Sequence, residues 1–284
     1  MHDYGANKAW RVKVMHETMD IVREGGYFTE SKMYVPLPFE DMDAGVYHCQ
    51  MIQNSNELAL PDELYENRAS TYVVGNDCLD EAVRLQNQGF NPVVLNMASW
   101  THPGGGYLTG AGAQEESLFR RTNYFEHLVN PDQLPQQQPF RYPFPEFATI
   151  YSPGVVLFRA TEKEHYYLLE TPTFLSFVAA PAYNHPRLIG GRLTEDYAAR
   201  TKEKIRGILN TGVYFRHDAI VLSALGCGAF ANPPEHMAEL FKEVITLQFQ
   251  YRYKKIAFAI VDDHNAGRKH NPDGNFAPFA RTFV

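Results

Sequence analysis

Three short runs in this chain are apolar on both faces: Val93-Val94-Leu95, Ala219-Ile220-Val221-Leu222 and Ile256-Ala257-Phe258-Ala259-Ile260-Val261. A strand that is apolar on one side can leave its other side in water, whereas these must be covered above and below. Between and around them lie stretches with helical periodicity, at 78–85, 194–210 and 235–249. Strands alternating with helices in this way predict an α/β fold in which a sheet is enclosed by helix layers. No internal repeat and no clear linker interrupts the pattern.

The remaining segments fill in around that frame. Residues 6–24 read as an amphipathic helix, with Trp10, Val14, Met15, Thr18, Ile21 and Val22 recurring on one face and Gly25-Gly26 ending it. Residues 27–70 have no long periodic run, and Pro36 and Pro38 flank a turn. Thr71–Val74 is strand-like, and Asn76 or Asp77 is placed to cap the helix that follows. Further strands are expected at Ile150–Arg159 and Thr173–Ala180, with a polar turn at Glu162–His165. Residues 130–147, rich in Pro, Gln and aromatics, read as an extended surface connector. Thr194 is expected to cap the helix at 194–210, and Pro233-Pro234 to open the helix at 235–249.

A net charge of −7 argues against a broad nucleic-acid grip, which needs excess Lys and Arg. The 3 cysteines, Cys49, Cys78 and Cys227, have neither metal-ligand spacing nor the look of a disulfide framework. No run is long enough to span a membrane and no signal-peptide core opens the chain. The expectation is a cytoplasmic protein, or a nuclear one in a eukaryote, that is not secreted.

The chemistry concentrates in residues 92–125. The strand runs into a loop holding Gly104, Gly105, Gly106, Gly110 and Gly112, and the loop empties into Gln114-Glu115-Glu116 at a helix start. Consecutive glycines lose much backbone entropy on folding, so the folded state must use their freedom, usually for positive φ or close backbone approach. A second glycine loop, Gly226-Cys227-Gly228-Ala229-Phe230, follows the buried strand at 219–223 and precedes a helix, a placement suited to an anion. Neither loop carries a Walker lysine or the dinucleotide fingerprint, so triphosphate hydrolysis and hydride transfer fit poorly.

GGG, a seven-residue spacer (Tyr107–Ala113) and QEE resemble the signature of the poly(ADP-ribose) glycohydrolases, in their compact microbial branch built on a macrodomain. The tract PGGGYLTGAGAQEESLFRRT matches that branch closely, and the tracts YSPGVVLFR and FVAAPAYNHP are similarly placed. SALGCGAF departs slightly from the pattern. The resemblance implies a three-layer α/β/α macrodomain with a mixed central sheet and an N-terminal helical extension. It divides the chain into an accessory segment, 1–70, and a macrodomain-like catalytic domain, 71–284.

What the family implies about function is equally definite: hydrolysis of ribose–ribose O-glycosidic bonds, releasing ADP-ribose from poly(ADP-ribose) or ADP-ribosylated protein, with no cofactor or metal. Neighbours at a helix start diverge by about 100°, so the two glutamates cannot flank one bond as paired glycosidase carboxylates do. One must transfer protons while the other positions the sugar. By the motif, Glu116 is the acid–base group and Glu115 fixes the substrate ribose, with Gln114 orienting them. Gly104–Gly106 would wrap the diphosphate and distal ribose, Gly226–Ala229 would bind the diphosphate, and Phe230 would lie by the distal ribose. Phe276 is the candidate to stack on adenine, with Phe279 and Phe283 as alternatives. His102, His264, His270, Asp262 and Asp263 lack metal-ligand spacing, and Asp262 is expected to close the last loop. Two other readings use the same pocket: an ADP-ribose reader without turnover, and a hydrolase of single ADP-ribosyl groups on protein or nucleic acid.

Overall fold

The computed structural model describes residues 4–37, 49–129 and 140–283, with side chains from residue 7 onward. The helices are α1 (Tyr4–Glu24), α2 (Cys78–Asn87), α3 (Gln114–Arg121), α4 (Tyr124–Leu128), α5 (Glu195–Tyr214), α6 (Pro234–Val244) and α7 (Phe276–Thr282). The strands are β1 (Gly26–Phe28), β2 (Tyr34–Pro36), β3 (Gln50–Ile52), β4 (Ser70–Val74), β5 (Pro92–Met97), β6 (Thr149–Arg159), β7 (Leu168–Ala180), β8 (Leu188–Ile189), β9 (Arg192–Leu193), β10 (Ala219–Leu222) and β11 (Lys255–Ala259). Seven strands form a mixed central sheet in the order β3-β6-β7-β5-β10-β11-β4, and helices flank it, the architecture the alternation calls for. Among the described residues no helix is long and apolar enough to cross a membrane.

Two compact units emerge: Met1–Met51, Ala98–Pro143 and Tyr151–Phe177 in one, and Ile52–Met97, Phe144–Ile150 and Val178–Val284 in the other. In the first, α1 buries Val14, Met15, Thr18 and Val22, the face its spacing marks out, and packs against α3 and β1. The stretch after α1 is not a plain loop. β1 and β2 pair antiparallel with Tyr27 opposite Val35, both buried, while Phe28 and Tyr34 face out. Strands this short have too few alternations to register as a period. β6 turns back into β7 through Glu162–Glu164, where Thr161 and Glu164 form a reciprocal cap and the Ala160 amide donates to the Tyr167 carbonyl at 2.9 Å. In this unit's core Tyr124 stacks on Phe177 with centroids 4.6 Å apart and meets Phe119 edge-to-face.

The second unit carries the strands buried on both faces. β10 pairs parallel with β5 and β11, and β11 with β4, in the register Ile220↔Val93, Ile220↔Ile256 and Ile256↔Thr71. α2 covers β5, β10 and β11, and its cap is Asp77, whose carboxylate accepts from the Leu79 and Asp80 amides. Thr194 occupies the cap position of α5, but its side chain makes no capping bond. The helix expected over 235–249 is α-helical only to Val244 and widens into a π-turn at Ile245–Phe249, a change the apolar spacing does not reveal. Of the connector at 130–147, residues 130–139 lie outside the described residues, as does Pro38.

His217, just before β10, is buried and bonds the Asn91 carbonyl through Nδ1 at 3.1 Å. Burial pushes its imidazole down to about 4, against the smaller opposing pull of that carbonyl and of Asp218. The unfolded chain therefore binds a proton that the fold refuses between about pH 6.5 and this value. Its contribution is complete above about pH 6.5 and declines as pH falls toward 4, by up to roughly 3 kcal/mol. Urea titrations from pH 7 to 4 should show a shallower acid-side loss for His217→Gln than for wild type.

Candidate active site

The loop after β5 doubles back on the start of α3, and its backbone conformation explains its glycines. Gly104 and Gly105 have φ of +74° and +55°. A Cβ at Gly104 would stand 2.2 Å from the Phe119 ring, and one at Gly105 would stand 2.6 Å from Glu116 Oε1. Glycine is the residue that permits both the left-handed backbone and this approach. All three consecutive glycine amides are used internally. Gly104 donates to Glu115 Oε1 at 3.1 Å, Gly105 to the His102 carbonyl at 3.1 Å and Gly106 to Glu116 Oε1 at 2.8 Å.

The two glutamates are engaged unequally. Both are buried, at 4% and 7% exposure. Glu115 accepts from the Gly104 amide with Oε1 and from the Ser99 amide at 2.7 Å with Oε2, so it joins two segments of the loop. Glu116 is held through Oε1 alone, and its buried Oε2 has no hydrogen-bond partner. A buried carboxylate oxygen left this way costs about 1–3 kcal/mol or more, so it calls for a reason. Tyr142 also belongs to this group: burial first, then the charge of Glu115, hold its phenol well above the usual range. Gln114 is half-buried at the first position of α3. Nothing in the sequence around Tyr142 distinguishes it from the other aromatics of the connector.

In the other unit, the turn Gly226–Phe230 is built around Asn232. Its Nδ2 donates to the carbonyls of Tyr183 (2.7 Å), Gly226 (3.1 Å) and Phe230 (3.3 Å). The Cys227 carbonyl accepts from Asn271 Nδ2 at 3.2 Å and pairs with His270 Nε2 at 2.8 Å. Its thiol is fully buried, and burial with the charge of Glu235 pushes it far up, so Cys227 is a packing residue rather than a nucleophile. The turn's closing bonds use the amides of Cys227, Ala231 and Asn232 and leave those of Gly228, Ala229 and Phe230 out of that set. Ala229 is exposed and Phe230 half-exposed. Asn271 also bonds Asn275 Oδ1 at 2.8 Å, which ties this turn to the start of α7 and hence to Phe276.

Asp262 closes the last loop, accepting from the amides of Asn275 (2.6 Å) and Phe276 (3.3 Å). Phe279 is fully buried against Phe241 and Phe258, and Phe283 stacks on Phe258 with centroids 4.5 Å apart. Burial sets Phe279 apart from Phe276, half-exposed beside Gly75, and from Phe283, also half-exposed. The structure thus brings Gly104–Gly106, Gln114, Glu115 and Glu116 together, and separately Gly226–Phe230 with Phe276. Among the described residues no group of three or more His, Cys, Asp or Glu could hold a metal.

Unequal engagement has a consequence for stability. Glu115→Ala strands two amides and should destabilise by about 2–4 kcal/mol in urea unfolding. Glu116→Gln should leave stability within about 1 kcal/mol of wild type or raise it, since it neutralises a buried orphan oxygen.

A family model described as "Microbial-type PARG, catalytic domain" matches residues 15–160. The fold resembles the crystal structure of poly(ADP-ribose) glycohydrolase from Thermomonospora curvata, with a TM-score of 0.78, 29% identity and coverage of 96% of this chain and 98% of that one. The same enzyme bound to the inhibitor ADP-HPD gives 0.74, 29%, 95% and 98%. The poly(ADP-ribose) glycohydrolase of Deinococcus radiodurans in complex with ADP-ribose gives 0.66, 25%, 87% and 98%. No curated protein sequence matches the chain.

Proposed function

The chain belongs to the microbial-type PARG catalytic-domain family, a family of glycosidases, and we propose that within this activity Glu116 alone is the general acid and base. The substrate is poly(ADP-ribose) and the product ADP-ribose. The observation that carries the assignment is the buried, unpartnered Oε2 of Glu116 beside a Glu115 whose two oxygens are already engaged.

Cleavage of a ribose–ribose bond needs a proton on the leaving oxygen and negative charge near the developing oxocarbenium ion. Protonated Glu116 gives its proton from Oε2 to the leaving ribose oxygen, and that C–O bond breaks with its electron pair going to the departing sugar. The resulting carboxylate stabilises the cation and then takes a proton from the attacking water, which restores the acid. The Gly106 amide holds Oε1 throughout and fixes which oxygen faces the substrate. Glu115 serves as an anchor that orients the ribose. Gly104–Gly106, their amides engaged internally, admit the sugar closely instead of gripping an anion. In the other unit, taken by itself, the amides of Gly228, Ala229 and Phe230 are suited to bind a diphosphate and Phe276 to stack on an adenine ring. The boundary at residue 70, between an accessory segment and the catalytic body, belongs to the same proposal.

Wild type incubated with poly(ADP-ribose) should release ADP-ribose. Glu116→Gln should lose at least about 100-fold in rate while binding ADP-ribose within about 3-fold of wild type by calorimetry. Binding without release by both proteins would contradict the assignment and favour the reader, or a linkage on protein or nucleic acid.

A further inference from the structure

α3 begins without help from its own sequence: Ala113 holds the cap position and offers no side-chain acceptor. Its start, and with it the place of Glu116, is set by the residues immediately before it. Those residues are gripped from two sides. Arg11, from α1, donates through Nη1 to the Gly110 carbonyl at 3.5 Å, and Arg120 Nη1 donates to the Ala111 carbonyl at 2.8 Å. At Gly110 the fit excludes a side chain, since a Cβ would stand 2.3 Å from the Lys8 carbonyl, and at Gly112 one would stand 2.4 Å from Arg11 Nη1 and displace the guanidinium.

The two arginines are joined in a ring. Arg11 Nε reaches both oxygens of Glu162 at 3.0 and 3.1 Å. Tyr166 donates to Glu162 Oε2 at 3.2 Å and accepts from Arg120 Nε at 2.9 Å. The β6–β7 turn delivers these partners at a conformational cost, since His165 and Tyr166 hold φ of +57° and +53° in succession without being glycine. Such backbone persists where its surroundings over-determine it. Here Trp10 packs on both rings, with centroids 5.9 and 5.2 Å away, so α1 holds the turn as well as the loop.

We infer that Arg11 is a positioning residue of the reaction. Through Glu162 and Tyr166 it clamps Gly110–Gly112 and fixes the start of α3, so that Glu116 Oε2 stands where the leaving oxygen arrives. The segment before the catalytic domain is then part of the catalytic apparatus. The inference rests on the assignment of Glu116, and the experiment separates the two.

The test compares Arg11→Ala, Arg11→Lys and Glu162→Gln with wild type and with Lys13→Ala, a control on the exposed face of α1. Hydrogen exchange reads the clamp without reference to substrate. Peptides covering 99–113 should exchange at least about 10-fold faster in Arg11→Ala than in wild type or Lys13→Ala. With poly(ADP-ribose), kcat should fall about 100-fold with KM and ADP-ribose affinity within about 3-fold. Lysine keeps the charge but loses the fork, so Arg11→Lys should recover part of kcat. Arg11→Ala combined with Glu162→Gln should be no worse than Arg11→Ala, because the pair acts as one unit. If Arg11→Ala fails to fold, Glu162→Gln breaks the same ring from its half-buried side and decides the matter. Unchanged exchange over 99–113, an unchanged kcat, or a loss confined to KM would overturn the inference. An inactive wild type would count against the glycohydrolase assignment and leave exchange to judge the clamp.

Discussion

The mutual hold between the glycine loop and the start of α3 is the interaction on which the rest of the site depends. Two carboxylates on the first turn of a helix accept amides from the loop that precedes it, at Ser99, Gly104 and Gly106. Charge-assisted bonds of this kind are stronger than neutral ones, and burial strengthens them further. Glycine is required because the loop lies within side-chain distance of the same carboxylates and of Phe119. Three of the four oxygens are consumed in building the site, and the fourth, Glu116 Oε2, is buried without a partner. An oxygen left in this way lowers stability, and that is the oxygen proposed to carry the proton.

Much of this was legible in the sequence, for reasons that differ by element. β5, β10 and β11 declare themselves because strands covered on both faces are apolar at nearly every position, Asn96 in β5 and Lys255 in β11 apart. α1 shows its buried face through the three-and-four spacing of its apolar residues from Trp10 to Val22. The β1–β2 hairpin stayed hidden because three residues per strand give no period, and the π-turn after α6 because its spacing mimics a continuing helix. Phe276, Phe279 and Phe283 are equivalent as letters, and packing against Phe241 and Phe258 separates them.

Of the site itself, the motif located the glutamates and implied a role for each, while the hydrogen bonds that engage them unequally needed coordinates. The sequence does not say which oxygen meets which amide. Nor could it reveal the ring of Arg11, Glu162, Tyr166 and Arg120. Arg11 and Glu162 stand 151 residues apart, and each alone is an ordinary charged residue on an amphipathic helix or in a polar turn. Arg11 is buried and Glu162 only half-buried, and removing one partner of such a pair leaves the buried charge uncompensated, so the pair specifies a conformation more than it stabilises it. Here the conformation specified is that of the loop that sets Glu116.

The most direct test of the central claim is a crystal structure with ADP-ribose bound, reading the distance from each glutamate oxygen to the anomeric oxygen of the distal ribose. The account predicts Glu116 Oε2 within about 2.6–3.2 Å of that oxygen, with Glu115 still bonded to the amides of Ser99 and Gly104. A complex in which Glu115 meets the anomeric oxygen while Glu116 Oε2 turns away would contradict it.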